Sequence, residues 1–388
     1  MGNERSLAGG AVPPLWSAGF AGMLVLTLLG FANLAAFYGL GPWLRGRGLG
    51  PAQAGLAIAA FTLVALLLIP PLSARITPAT AGRCILAGFG VTLLALPLYP
   101  LAEGFPQLLA LRCLHGLGFV LTLVGIVAGF VAMVPAAQAG RAYALFGVAD
   151  LLPFALLPPL MEATLPAFGG DAGRQYAALA LLQAPALLLA LWIARRPLAH
   201  APPQAARGGR ASRPVLLLLA VNSLAFLAHA LLFNLLKPRA LELEGSALIG
   251  LFFGVQTATI MALRLLAGSA FDRLDQRRLA AIGLGAVGLA LGLLALPLPA
   301  WALLAVALLT GLGFGAALPL LNALMHRHSP PERRGANLNL MMLTLQLGYL
   351  LGPLLGGLVV GVAGYAGAFL LAGLCLAPGA AALLRLPK

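Results

Sequence analysis

The stretch Leu114-His115-Gly116-Leu117-Gly118-Phe119 returns 195 residues later as Leu309-Thr310-Gly311-Leu312-Gly313-Phe314. The same offset carries Gly50-Pro51-Ala52-x-x-Gly55 onto Gly245-Ser246-Ala247-x-x-Gly250. It also carries Pro135 onto Pro330, Gly140 onto Gly335 and Pro158 onto Pro353. A single match means little in a chain this rich in Gly, Ala and Leu. One register held from residue 50 to residue 158 means that the chain is one unit written twice.

The composition says what kind of unit. Hydrophobic residues make up 61% of the 388 positions and charged residues 9%, whereas soluble domains hold about half and about a quarter. Apolar runs of about 20 residues, long enough to cross a bilayer, recur near 15–40, 50–72, 82–101, 105–134, 141–165, 175–194, 214–236, 246–270, 279–299, 300–325, 336–361 and 363–384. Six fall in each half. Lipid offers no partner to a backbone amide, so each must be helical. The pattern predicts an all-α membrane protein of twelve transmembrane helices in two pseudo-symmetric six-helix halves. Residues 1–196 form the first half, 197–213 a linker rich in Pro, Gly and Arg, and 214–388 the second. Residues 1–14 do not read as a removable leader.

The formal net charge of +14 is explained by where the charge sits. With the N-terminus inside, seventeen of the 24 Lys and Arg residues fall in inner segments and five in outer loops. That bias predicts a multi-pass protein of the cell's inner membrane with both termini and the linker in the cytoplasm. It argues against a nucleic-acid partner. Cys84, Cys113 and Cys375 lack metal-ligand or disulfide spacing and read as packing residues. No cofactor is expected.

Four stretches resemble the major facilitator superfamily of transporters. Gly268-Ser-Ala-Phe-Asp272-Arg273-Leu-Asp-Gln-Arg277-Arg278 is similar to the family's acidic-basic loop signature. Arg112-x-x-His115-Gly116-x-Gly118 resembles a fourth-span motif of proton-coupled members. Pro330-Pro-Glu332-Arg333-Arg334-Gly335 resembles the loop that opens span eleven. Gly348-x-x-x-Gly352-Pro353-x-x-Gly356-Gly357 resembles the antiporter signature, moved from span five to span eleven. The first-half copy of the loop signature is worn: Ser73, Thr77 and Pro78 stand where Gly, Asp and Arg would be. The resemblance implies two six-helix halves rocking about a central site, with proton-coupled efflux of drugs or metabolites as the nearest subtype.

Ionisable groups inside spans are expensive and mark function by default. They are Arg112 and His115 in span four, Asp150 in span five, His229 in span seven and Arg264 in span eight. Asp150 lies nine residues beyond Arg141, about 13 Å deep at the helical rise. If spans four and five are neighbours, it pairs with Arg112. Burial disfavours the carboxylate's charge and a neighbouring Arg favours it, opposing influences that suit a group which loads and releases a proton. Asp150, Arg112 and His115 are therefore the candidate proton-coupling residues, against a static ion pair as the plainer reading. Asn33, Tyr38, Asn222, His229, Asn234, Gln256, Asn322 and Gln346 are candidates for the central cavity. With so little charge among them, they favour a neutral, amphipathic or weakly charged solute. Asp272, Arg273, Arg277 and Arg278 are candidates for a gate at the inner surface, with Arg264 beside them.

The resulting expectation is a monomeric secondary transporter that moves a small organic solute by alternating access, coupled to protons and exporting its solute. Proton-coupled uptake of a metabolite is the alternative, followed by a non-transporting receptor or assembly factor. No catalytic constellation supports an enzyme.

Overall fold

A computed structural model describes residues 16–134, 138–196, 212–243, 248–271, 274–330 and 333–387. The linker thus lies almost wholly outside the described residues. Thirteen helices, α1 to α13, run in chain order: Ala18–Ala35, Leu40–Gly46, Pro51–Arg75, Pro78–Ala95, Gly104–Met133, Ala139–Thr164, Ala172–Ala178, Ala180–Ala194, Arg213–Glu242, Ile249–Phe271, Gln276–Leu294, Ala300–His328 and Arg334–Leu384. A 3₁₀ turn over Ala36–Gly39 joins α1 to α2 as one span.

Local chemistry sets the helix starts. The Ser17 hydroxyl accepts from Phe20 N–H at 3.1 Å. Pro51 and Pro78 open α3 and α4, where a missing N–H is harmless. Asp275 caps α11 by accepting from the amides of Arg277 and Arg278. At Asp275 desolvation opposes the charged form. The Arg277 side chain, the two amides and the Arg277 charge outweigh it and hold the carboxyl below its ordinary range.

Among the described residues eleven helices are long and apolar enough to span a membrane. The last, Leu340–Leu384, is 45 residues long, roughly 68 Å at the helical rise, more than twice a hydrocarbon core of about 30 Å. Gly364 divides it. Its φ of 68° and ψ of 179° are non-helical, a conformation open in practice only to glycine. The chain therefore crosses twice here, giving the twelve spans expected. The outer surface of the bundle is apolar, with Leu181, Leu266, Trp301 and Val362 all exposed, as lipid contact requires.

The repeat reappears as paired contacts. A Cβ on Gly116 would stand 2.7 Å from the Phe61 carbonyl oxygen, and one on Gly311 2.7 Å from that of Gln256. Phe61 and Gln256 are themselves 195 residues apart. Gly88 meets Gly118, and its equivalent Gly283 meets Gly313. These glycines serve close packing of helix on helix within each half.

The two halves meet along two seams related by the same offset. In one, α3 packs on α13, with Gly55 against the Pro353 carbonyl. In the other, α10 packs on α6, with Gly250 against the Pro158 carbonyl. The face at which α1 begins and α13 ends is the terminal face, and the opposite one the distal face. Among the described residues, the close approaches between halves run from mid-bundle to the distal face. They include Phe154 on Phe233, Tyr38 on Phe253 and Arg45 over the Tyr365 ring.

Candidate functional site

Among the described residues, three clusters built on charged side chains lie inside the bundle, and they regroup the residues singled out from sequence. The first lies inside the N-terminal half. Arg112 and His115, one turn apart on α5, are 4% and 0% exposed. Arg112 Nη1 donates to the Tyr99 hydroxyl at 3.1 Å, and that hydroxyl lies 3.0 Å from His115 Nδ1. The guanidinium stacks over Phe61 and Phe37, 4.6 and 5.3 Å from their ring centres. Its Nε has no hydrogen-bond partner, nor has His115 Nε2. Two ring faces at about 2 kcal/mol each and one charge-assisted hydrogen bond offset much of the several kcal/mol that withdrawing a guanidinium from water costs. No carboxylate among these partners balances the charge of Arg112.

The second cluster spans the two halves and corrects the pairing expected from sequence. Arg112 does not pair with Asp150. Consecutive spans need not be neighbours: α6 packs chiefly on α10 and α1, whereas α5 packs on α4 and α3. The charge that acts on Asp150 is Arg264 of α10, which also acts on His229 of α9. Asp150 and Arg264 stand farther apart than a direct ion pair; Asp150 Oδ1 and Arg264 Nε are shut off from the surface without hydrogen-bond partners. By the helical rise of about 1.5 Å per residue the two differ in depth by only about 6 Å. His229 Nδ1 lies 2.8 Å from the Tyr349 hydroxyl of α13. Arg264 thus acts on the interior groups Asp150 and His229, while Asp272 and Arg273, with which the sequence grouped it, lie outside the described residues.

The third cluster closes the distal side and was not assigned from sequence. Lys237 of α9 donates to the Tyr38 hydroxyl at 3.0 Å and lies 3.7 Å from Glu162 of α6. The other Glu162 oxygen accepts from Gly250 N–H of α10 at 2.8 Å. Glu162 occupies the repeat position of Gly357, which packs 2.6 Å from the Pro51 carbonyl by the same Cβ measure. Two opposite charges near the distal ends of spans five and seven were the available signal. Nothing in the sequence says that these ends meet.

Between the clusters a small pocket of about 20 Å³, room for little more than a water, is walled by Phe37, Phe61 and Arg112 from one half and Phe233, Asn234 and Tyr349 from the other. Of the eight cavity candidates, Asn234 lines it, and His229 reaches its wall through Tyr349. Tyr38 belongs to the distal closure. Asn222 donates to the Met341 carbonyl and the Thr344 hydroxyl, fastening α9 to α13. Asn33 and Asn322 bond carbonyls of their own helices, and Gln256 and Gln346 are buried. Phe37, Phe61 and Phe233 were missed because apolar residues carry no signal against so apolar a background. Of the gate candidates, Asp272 and Arg273 lie outside the described residues. Arg277 and Arg278 both pair with Asp275, and Arg277 also donates to the Leu386 carbonyl. These contacts stay within the C-terminal half and do not bridge to the other. Cys84 donates to the Leu121 carbonyl, a packing role.

Two six-span halves with a pocket where they meet are the architecture of a secondary transporter. The family model of the Major Facilitator Superfamily matches residues 15–238 and 218–388, and the chain belongs to that family, one of transporters rather than enzymes. No curated protein matches. Solved structures share the fold. The nucleoside transporter NupG is 15% identical over 96% of this chain and 100% of its own, with a TM-score of 0.73. A bacterial homologue of the human lysosomal transporter Spinster, in an inward-facing and occupied conformation, is 13% identical over 94% and 95%, with a TM-score of 0.74. The human organic anion transporter MFSD10 (TETRAN) is 17% identical over 95% and 100%, with a TM-score of 0.67.

Proposed function

We propose that the protein is a monomeric, proton-coupled secondary transporter that exports a small organic solute across the inner membrane by alternating access. The observation that carries this reading is Asp150 facing Arg264 across the junction of the halves. A coupling group must sense which state the halves are in, and a carboxylate held by one half near a cation held by the other does so. When charged, Asp150 attracts Arg264. Protonation removes that attraction and frees the halves to move relative to each other. His229 and Tyr349 extend the network to the cavity wall and give solute binding a route to Arg264.

The excess of Lys and Arg assigns the terminal face to the cytoplasm. The Lys237–Glu162–Tyr38 cluster then joins the halves on the outer side. The aromatic pocket wall suits an amphipathic solute, and export follows from the likeness of Gly348–Gly357 to an antiporter signature. Proteoliposomes tested with radiolabelled aromatic and aliphatic solutes under an imposed pH gradient check the reading. Asp150→Asn keeps the shape but cannot titrate. It is expected to abolish gradient-driven transport and retain solute exchange. Full gradient-driven transport by a folded Asp150→Asn protein would sink the proton role.

A further inference from the structure

Arg112 is a buried membrane-interior cation with no carboxylate counterpart among the described residues. Among the described residues the other two interior cations have carboxylate counterparts: Lys237 has Glu162, and Arg264 has Asp150. Arg112 has a neutral hydroxyl and two ring faces. A guanidinium carries five N–H donors; here one is met by Tyr99 while Nε faces no acceptor. The plain reading is that the aromatic cage suffices as a structural device. Two observations oppose it: the donor remains unmet although the side chain is 4% exposed, and the same side chain forms part of the cavity wall.

Building on the transporter reading above, we propose that the solute is a small amphipathic organic monoanion whose carboxylate pairs with Arg112 once the halves part and the pocket widens, with its apolar body among Phe37, Phe61 and Phe233. A planar guanidinium fork matches a carboxylate with two parallel hydrogen bonds. A single uncommitted cation balances one negative charge, so a dianion such as a phosphate monoester would bring charge that the cavity does not meet. Asn234 and Tyr349, on the facing wall, supply polar contacts to the rest of the solute from the other half. Export of a monoanion against entry of one proton moves positive charge inward in both legs, so an inside-negative membrane potential adds to the drive.

The experiment uses the full chain in lipid nanodiscs and calorimetric binding of three matched pairs: benzoate and benzamide, 4-phenylbutyrate and 4-phenylbutyramide, octanoate and octanamide. Carboxylates are expected to bind at least about tenfold more tightly than their amides, since charge-assisted hydrogen bonds are about twice as strong as neutral ones. Arg112→Gln is expected to bring each pair to within about twofold. If that variant does not fold, Arg112→Lys, which keeps the charge but not the fork, is expected to reduce the preference. An undiminished preference in either folded variant overturns the assignment, as does equal binding of acid and amide, or no binding of any acid, by the wild type. Proteoliposome flux separates this proposal from the one it rests on. Gradient-driven flux of amides as fast as acids overturns the anion site and leaves the transporter. Carboxylate-selective binding without gradient-driven flux retains the anion site and sinks the proton-coupled reading.

Discussion

Replacing Glu162 with Gln removes the carboxylate that joins the halves on the distal side while leaving an oxygen for the Gly250 amide. The ion pair with Lys237 spans 3.7 Å, and the two side chains are 15% and 20% exposed for Lys237 and Glu162. At an effective dielectric of about 20, two unit charges at that distance attract by about 4.5 kcal/mol before desolvation is counted. Breaking a fully buried pair costs about 3–5 kcal/mol, and partial exposure reduces this toward about 1–3 kcal/mol. Lys237 keeps its bond to Tyr38 in the variant. Since about 1.4 kcal/mol is tenfold in an equilibrium constant, the ratio of distally closed to distally open protein should fall by about 5- to 140-fold. Spin labels at Leu101 and Leu296, exposed residues in distal loops of opposite halves, report the change once Cys84, Cys113 and Cys375 have been replaced. The expected result is growth of a longer-distance population in Glu162→Gln. It should shrink again in Glu162→Leu combined with Lys237→Met, which restores neutrality. Identical distance distributions in wild type and Glu162→Gln would refute the idea that this cluster closes the distal side.

Gly311→Leu drives a side chain into the Gln256 carbonyl and should abolish monodisperse expression. Gly285→Ala, on an exposed helix face with nothing within 4 Å of the new Cβ, should raise the thermal midpoint, consistent with about 0.5–1 kcal/mol for that change in a helix. Asn222→Ala loses two bonds that fasten α9 to α13 and should lower stability by about 1–3 kcal/mol, read by thermal unfolding in detergent. Asp275, whose carboxyl is held below its ordinary range, contributes stability above its unfolded pKa of about 3.9. That contribution falls away as pH drops through its folded value. The thermal midpoints of wild type and Asp275→Asn should therefore differ at pH 7 and converge under strong acid. If Asp150 acts through Arg264 by charge alone, Arg264→Gln should rescue expression of Asp150→Asn, and Arg112→Gln should not.

The sequence alone determined the spans, their helical form and the doubled architecture. Hydropathy is read along one dimension, lipid leaves a spanning backbone no choice but the helix, and a repeat is visible as a constant offset. The offset even forecast contacts, because glycines spaced for close packing in one half recur in the other. Two spans appear as one 51-residue helical run in α13, yet the sequence divides them correctly, because thickness limits how much apolar chain one crossing can hold. What only the tertiary structure decided was partnership. Arg112 and Asp150 sit on consecutive spans at compatible depths, and depth was all that the sequence offered. Asp150 instead faces Arg264 of the other half, and Lys237 reaches Tyr38 across 199 positions. Depth follows from counting residues along a helix, whereas the choice of neighbour follows from how two six-helix units close on each other. That choice left Arg112 without a carboxylate at the cavity wall.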